Sequence, residues 1–283
     1  MSDTGALITT VRGHNFDIDM PFLKSMSLKS HWEDKDYKFE KAMFPKVGGT
    51  LELSQPHVIP EFTPISQQGR AGTCVANAWC DCVEMLIGMH YGKSNVVQLS
   101  RRFAYWVSRY LHSATDRDDG TFLRAMGHQF LKVGVVLEED MPYSDQERDL
   151  VGKAASPELQ HYTMASNNRI KSFYRLSSME AQMLREMEVA VRSNHPVVIG
   201  VPVTGYFQDE RDLAIFTRPA DADVIGRHCM LVVGVRFESG KRQWLIRNSW
   251  GKNWGDNGHC WMTDDYLSLS TDTWVGSLKE QII

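Results

Sequence analysis

The sequence predicts an α+β fold of two lobes, a helical lobe followed by a β-rich one. Two observations predict it. Apolar residues recur at helical spacing through the first half, and short β-branched runs bounded by Gly and Pro fill the second. Helices that come first and strands that come later make layers segregated along the chain.

In chain order, residues 1–57 are polar and mixed, with breakers at Pro45, Gly48 and Gly49. They read as an N-terminal extension: a disordered tail, a wrap around the body, or a segment lying in a cleft as an inhibitor. The main domain then spans 58–283, mainly helical over about 63–160 and mainly β over about 161–283. The loop TPISQQGRAG is dense in turn formers and leads into CVANAWCDCVEMLIGMHYG. There Val75, Ala78, Trp79, Cys82, Met85, Leu86 and Met89 repeat with helical period, and Gly92 is a stop. Leu99 to Leu111, Thr121 to Val133 and Ser178 to Ser193 also read as helices. Pro196 to Val203, Cys229 to Phe237 and Gln243 to Arg247 read as strands. The acidic run Glu138-Glu139-Asp140 reads as a solvated face.

Composition narrows the function. A formal charge of -4 and the lack of a dense Lys/Arg block argue against a nucleic-acid partner. No apolar run reaches the roughly 20 residues that span a bilayer, so no membrane partner is expected. The first residues lack a basic stretch followed by an apolar core, which points to the cytoplasm, with export by a specialised machine still compatible. Five cysteines without a secretory signal fit reduced thiols. The spacing of Cys80, Cys82, Cys229 and Cys260 matches no zinc pattern, so no metal is expected. Nothing in the sequence calls for an organic cofactor.

Cys74 lies at the N-terminal edge of its helix, where the dipole favours a thiolate. In GRHCMLVVGVRF, His228 reads as the opening of a strand, held by the sheet and facing a cleft. Asn248, just beyond another strand, is suited to accept an imidazole N–H, and Trp250 to shield that bond. Cys74 and His228 are 154 residues apart, and His228 and Asn248 are 20 apart.

QQGRAGTCVANA and NSWGKNWGDNGHCWM carry a specific likeness: the chain resembles the papain-like cysteine peptidases, most closely their bacterial branch. LSRRFAYW, DDGTFLRA and VGVVLEEDMPY also resemble that family, and coverage runs from about Thr63 to Met262. The resemblance implies a papain-like two-lobe fold with a cleft between a helical and an antiparallel β-rich lobe. It implies Cys74 as nucleophile, His228 as base, Asn248 as orienter, and Gln68 with the Cys74 N–H as oxyanion hole. Gly72, Gly120 and Trp250 are implied substrate-binding positions, although Gly120 reads equally as a turn glycine and Trp250 also as packing. The partner would be a peptide or protein substrate, with possible self-inhibition by residues 1–57. Ala71 stands where the family usually has a cysteine, so its familiar nearby disulfide cannot form. Cys229 replaces a small residue after His228 and should point to the other face of the strand. Other Cys–His amide chemistry (amidase, deamidase, transpeptidase) and a catalytically silent binding protein stay open as alternatives.

Overall fold

A computed structural model describes residues 38–39, 55–111, 115–209, 215–270 and 272–278. The predicted extension of residues 1–57 lies outside the described residues apart from Lys38, Phe39 and residues 55–57. Lys38 forms a bridge with Arg175, and Phe39 is fully buried.

The chain begins with the short strand β1 (His57–Val58) and then the central helix α1 (Cys74–Tyr91). Helices α2 (Arg101–Tyr110), α3 (Leu123–Lys132), α4 (Glu147–Leu150) and α5 (Leu159–Ala165) complete the helical part. Strand β2 (Ser172–Arg175) and helix α6 (Glu180–Arg192) lead to β3 (Val197–Thr204), α7 (Gly205–Asp209) and β4 (Ile215–Phe216). Strands β5 (Val224–Glu238), β6 (Lys241–Arg247) and β7 (His259–Thr263), helix α8 (Asp264–Leu267) and β8 (Asp272–Ser277) follow. The strands form one sheet in the order β2-β8-β3-β5-β6-β7-β4, with β1 paired to β5. All pairings between strands are antiparallel except β4 with β7. The result is the expected α+β, papain-like arrangement.

The predicted helices and strands lie close to their expected places, but His228 does not open its strand. β5 extends back to Val224, because Gly226 and Arg227 pair with Val203 and Pro202 of β3. Polar and glycine residues that read as a boundary are recruited by a neighbouring strand. In the acidic run Glu139 is exposed as expected, but Glu138 turns inward, where its carboxylate accepts the Tyr143 N–H at 2.7 Å and burial raises its pKa.

Helix α1 is buried along nearly its whole length, including the charged Asp81 and Glu84. Their partners come from three other segments. The Arg247 guanidinium, at the end of β6, donates to Asp81 at 3.0 Å and Glu61 at 2.5 Å, and to the carbonyls of Thr63 and Pro64. Arg101, opening α2, donates to Asp81 at 2.5 Å and Glu84 at 2.5 Å. Ser66 donates to Asp81 at 2.7 Å, and His259 meets Glu61 at 2.6 Å. Burial alone would push the Asp81 pKa up, but the Arg247 and Arg101 guanidiniums outweigh it and hold the pKa below the usual range. Glu61 is lowered in the same way, by His259 and Arg247 against burial. For Glu84 burial wins over Arg101, and its pKa is raised.

Removing one partner of a buried ion pair leaves an uncompensated charge, at a cost of about 3–5 kcal/mol. Arg247→Met is therefore expected to lower unfolding free energy by about that amount in urea denaturation at neutral pH. Asp81 and Glu61 have depressed folded-state pKa values. The stability they contribute is present above about pH 4 and lost as pH falls through those values. The urea midpoint should drop on acidification in the wild type and drop less in Arg247→Met.

Candidate active site

Three chain segments meet at one place: the loop before α1, the middle of β5 and the turn after β6. The loop of residues 66–68 is zipped to residues 249–251 by backbone bonds from Gln68 N–H to Ser249 O (2.8 Å) and Gly251 N–H to Ser66 O (2.9 Å). This holds the entrance to α1 against the segment that carries Asn248.

Cys74 is the first residue of α1 and is fully buried. Thr73 precedes it at the N-cap, yet its side chain makes no cap bond to the helix backbone. The Thr73 hydroxyl instead meets the Tyr143 hydroxyl at 2.6 Å and the Asn77 amide at 3.1 Å. The first-turn N–H groups are thus left without a side-chain cap, and the positive end of the helix faces the sulfur. Burial pushes the Cys74 thiol up to about 12; the backbone N–H groups of Cys229 and Val75 pull the other way, and the Asp118 charge adds to the rise. Contact with the Cys229 N–H brings the sulfur beside the residue that follows His228.

His228 is fully buried, and one ring nitrogen, Nε2, lies 2.8 Å from Asn248 Oδ1. The same oxygen accepts the Ser249 N–H at 2.8 Å, which fixes it as an acceptor. His228 Nε2 must therefore carry a proton, and in the neutral ring Nδ1 carries the lone pair. That Nδ1 is buried and has no hydrogen-bond partner. A buried polar atom without a partner is costly, and one in this position is ready for a proton from outside the ring's own network. Burial lowers the His228 pKa to about 4, with the Asn248 bond opposing it.

The Trp250 ring lies flat over the imidazole, centroids 4.5 Å apart and planes 24° apart. Trp254 and Phe207 back it with ring contacts at 5.5 and 5.7 Å, and the Trp254 indole donates to Phe207 O at 3.1 Å. This wall keeps water from the His228–Asn248 bond, and so raises its strength.

Gln68 is fully buried. Its Oε1 accepts the Ser249 hydroxyl at 2.6 Å, and its Nε2 donates to Ala71 O at 3.0 Å. The Ala71 carbonyl can only accept, which fixes which end of the amide is the donor. One Nε2 hydrogen is committed to Ala71, and the other is left for a further acceptor.

The structure brings Cys74, His228, Asn248, Gln68 and Trp250 together. Gly72 lies beside them, where an added Cβ would sit 2.6 Å from Asp118 Oδ1. Gly120 has φ +82°, donates its N–H to the Tyr105 hydroxyl at 3.1 Å and accepts from Arg109. Its turn geometry accounts for glycine there. Ser249, Asp118, Tyr105 and Tyr143 are parts of the site that sequence reasoning did not single out. For Ser249 the only signal was its place inside the Asn-Ser-Trp block, and for Asp118 the acid pair before Gly120. All five cysteines are buried thiols. No cluster of metal-ligating residues and no helix long and apolar enough to cross a membrane occurs among the described residues.

The profile of the papain family cysteine proteases matches residues 53–272. A peptidase C1-like protein of Acanthamoeba polyphaga mimivirus is 26% identical over 252 residues, covering 85% of this chain and 78% of that protein. Among solved structures, xylellain, a cysteine protease from Xylella fastidiosa, superposes with a TM-score of 0.74 at 23% identity, covering 96% of this chain and 98% of that one. The digestive procathepsin L 3 of Tenebrio molitor superposes with a TM-score of 0.65 at 19% identity, covering 86% of this chain and 76% of that one. At these identities the structures establish the fold, and they give only weak support to a bacterial branch. The profile match spans most of the chain, and it carries the assignment: this chain belongs to the papain family of cysteine proteases.

Proposed function

We propose that the chain is a thiol endopeptidase in which Cys74 is the nucleophile, His228 the base and acid, Asn248 the orienter of the ring, and Gln68 an oxyanion donor. The observation that carries this reading is the buried, unpartnered Nδ1 of His228, on a ring whose other nitrogen is fixed as a donor. In support, Cys74 starts a helix without a side-chain cap, and its sulfur meets the backbone N–H of Cys229, the residue that follows His228.

Taken singly, burial disfavours both a thiolate and an imidazolium here. Passing the proton from sulfur to Nδ1 creates the two charges side by side. Their mutual attraction and the helix end offset the loss of water. The thiolate attacks the scissile carbonyl, and the oxygen that gains charge is met by the Cys74 N–H and the free Gln68 Nε2 hydrogen. His228 returns its proton to the departing amine, leaving a thioester that water hydrolyses with His228 as base. The peptide would lie extended past Gly72, Gly120 and Trp250. Residues 1–57 would restrain the enzyme; the buried Phe39 and the likeness to a procathepsin support that role.

Three outcomes are expected. An epoxysuccinyl peptide probe should add once to the wild type by intact mass and not at all to Cys74→Ala; an adduct on the mutant would sink the nucleophile assignment. Gln68→Ala should keep that labelling while kcat falls by about 10²–10³, the usual effect of losing one oxyanion donor. A chain beginning near Val58 should cleave peptides faster than the full chain, and equal rates would remove the inhibitory role of residues 1–57.

A further inference from the structure

The loop that delivers Cys74 is tied down by a carboxylate. Asp118 accepts the Gly72 N–H with both oxygens, at 2.8 and 3.0 Å. Its Oδ1 also accepts the Tyr105 hydroxyl at 2.5 Å, and that hydroxyl in turn accepts the Gly120 N–H at 3.1 Å. The Arg109 guanidinium donates to the carbonyls of Gly120 and Arg117 and sits 5.0 Å over the Tyr105 ring. One carboxylate thus joins the backbone two residues before the nucleophile to α2 and to the loop around Gly120. Gly72 leaves no room for a side chain against this contact. Ala71, the neighbouring residue, is buried and offers no thiol for a covalent tie.

We propose that Asp118 is a positioning residue for the nucleophile, clamping the Gly72 N–H and thereby fixing a negative charge against the backbone two residues before Cys74. The proposal rests on the reading of Cys74 as the nucleophile. Tyr105 and Tyr143 are held protonated, since burial raises both pKa values and the Asp118 charge adds to the effect. Arg109 is engaged with the carbonyls and the Tyr105 ring face, Asp119 is paired with Arg117 at 3.3 Å on the outer side, and Asp145 adds a further negative charge toward Tyr143. Asp118 also appears among the influences that raise the Cys74 pKa, after burial.

The two effects of the carboxylate separate by mutation. Asp118→Asn keeps an oxygen for Gly72 and Tyr105 and removes the charge, whereas Asp118→Ala removes both. The measurement is the rate of iodoacetamide alkylation of Cys74 against pH, read by intact mass with Cys74→Ala as blank, beside kcat, KM and the thermal midpoint. Asp118→Asn should shift the alkylation profile toward acid, raising the neutral-pH rate about threefold, the effect of half a pKa unit, with little change in thermal midpoint. Asp118→Ala should shift the profile likewise and also lower kcat about tenfold, more than it changes KM. An Asn variant whose profile superimposes on the wild type overturns the proposal, and it decides the question even if the Ala variant fails to fold. A wild-type Cys74 that does not alkylate at any pH would instead overturn the nucleophile reading, and the proposal with it.

Discussion

The contact between Arg247 and Asp81 is the constraint on which the site depends. Asp81 sits two turns into the helix that begins at Cys74, and Arg247 directly precedes Asn248. One ion pair therefore sets the distance between the helix carrying the thiol and the turn carrying the amide that holds His228. Burying two charges is costly unless every lone pair and proton finds a partner. Here Ser66, Arg101, Glu61 and the carbonyls of Thr63 and Pro64 supply those partners. A purely apolar contact would tolerate sliding, whereas this network has one geometry in which all its bonds are made. The same network recruits the segment before the loop of residues 66–68, so the oxyanion candidate Gln68 is set by it as well.

Around this anchor the site is ordered by exclusion of water. The aromatic wall of Trp250, Trp254 and Phe207 covers the imidazole, and the Asn248 carbonyl reads out which nitrogen bears the proton. Burial raises the energy of a lone thiolate and of a lone imidazolium, so neither charge is favoured without the other. A proton moved between adjacent partners avoids that penalty. In the proposed mechanism, the dry setting that makes each group inert alone would couple their ionisation.

Much of this was legible in the chain. The helical period after Cys74, the β-branched runs of the second half and the two motif blocks led to the α+β fold and to Cys74, His228, Asn248 and Gln68 together. Strands β2, β7 and β8 were not singled out: SFYR, HCWMT and DTWVGS are short and carry polar or glycine residues that only pairing with neighbours turns into strand. For the same reason His228 looked like a strand opening, when pairing with β3 carries the strand back to Val224. The burial of Asp81 and Glu84 was not legible in the chain, because their compensating arginines are distant in sequence.

The sequence by itself determined which residue types enter the site and in what order, since covalent identity and local period are properties of neighbours along a chain. It determined the helix that lends its end to Cys74 and the block that carries Asn248. The tertiary structure decided which imidazole nitrogen is free, because that depends on an oxygen 20 residues away being fixed by the Ser249 N–H. It also decided that Gly72 answers to Asp118 and that Arg247 answers to Asp81. Hydrogen bonds and ion pairs between distant residues act over a few ångströms of space, and the linear order of residues does not encode those distances until the chain has folded.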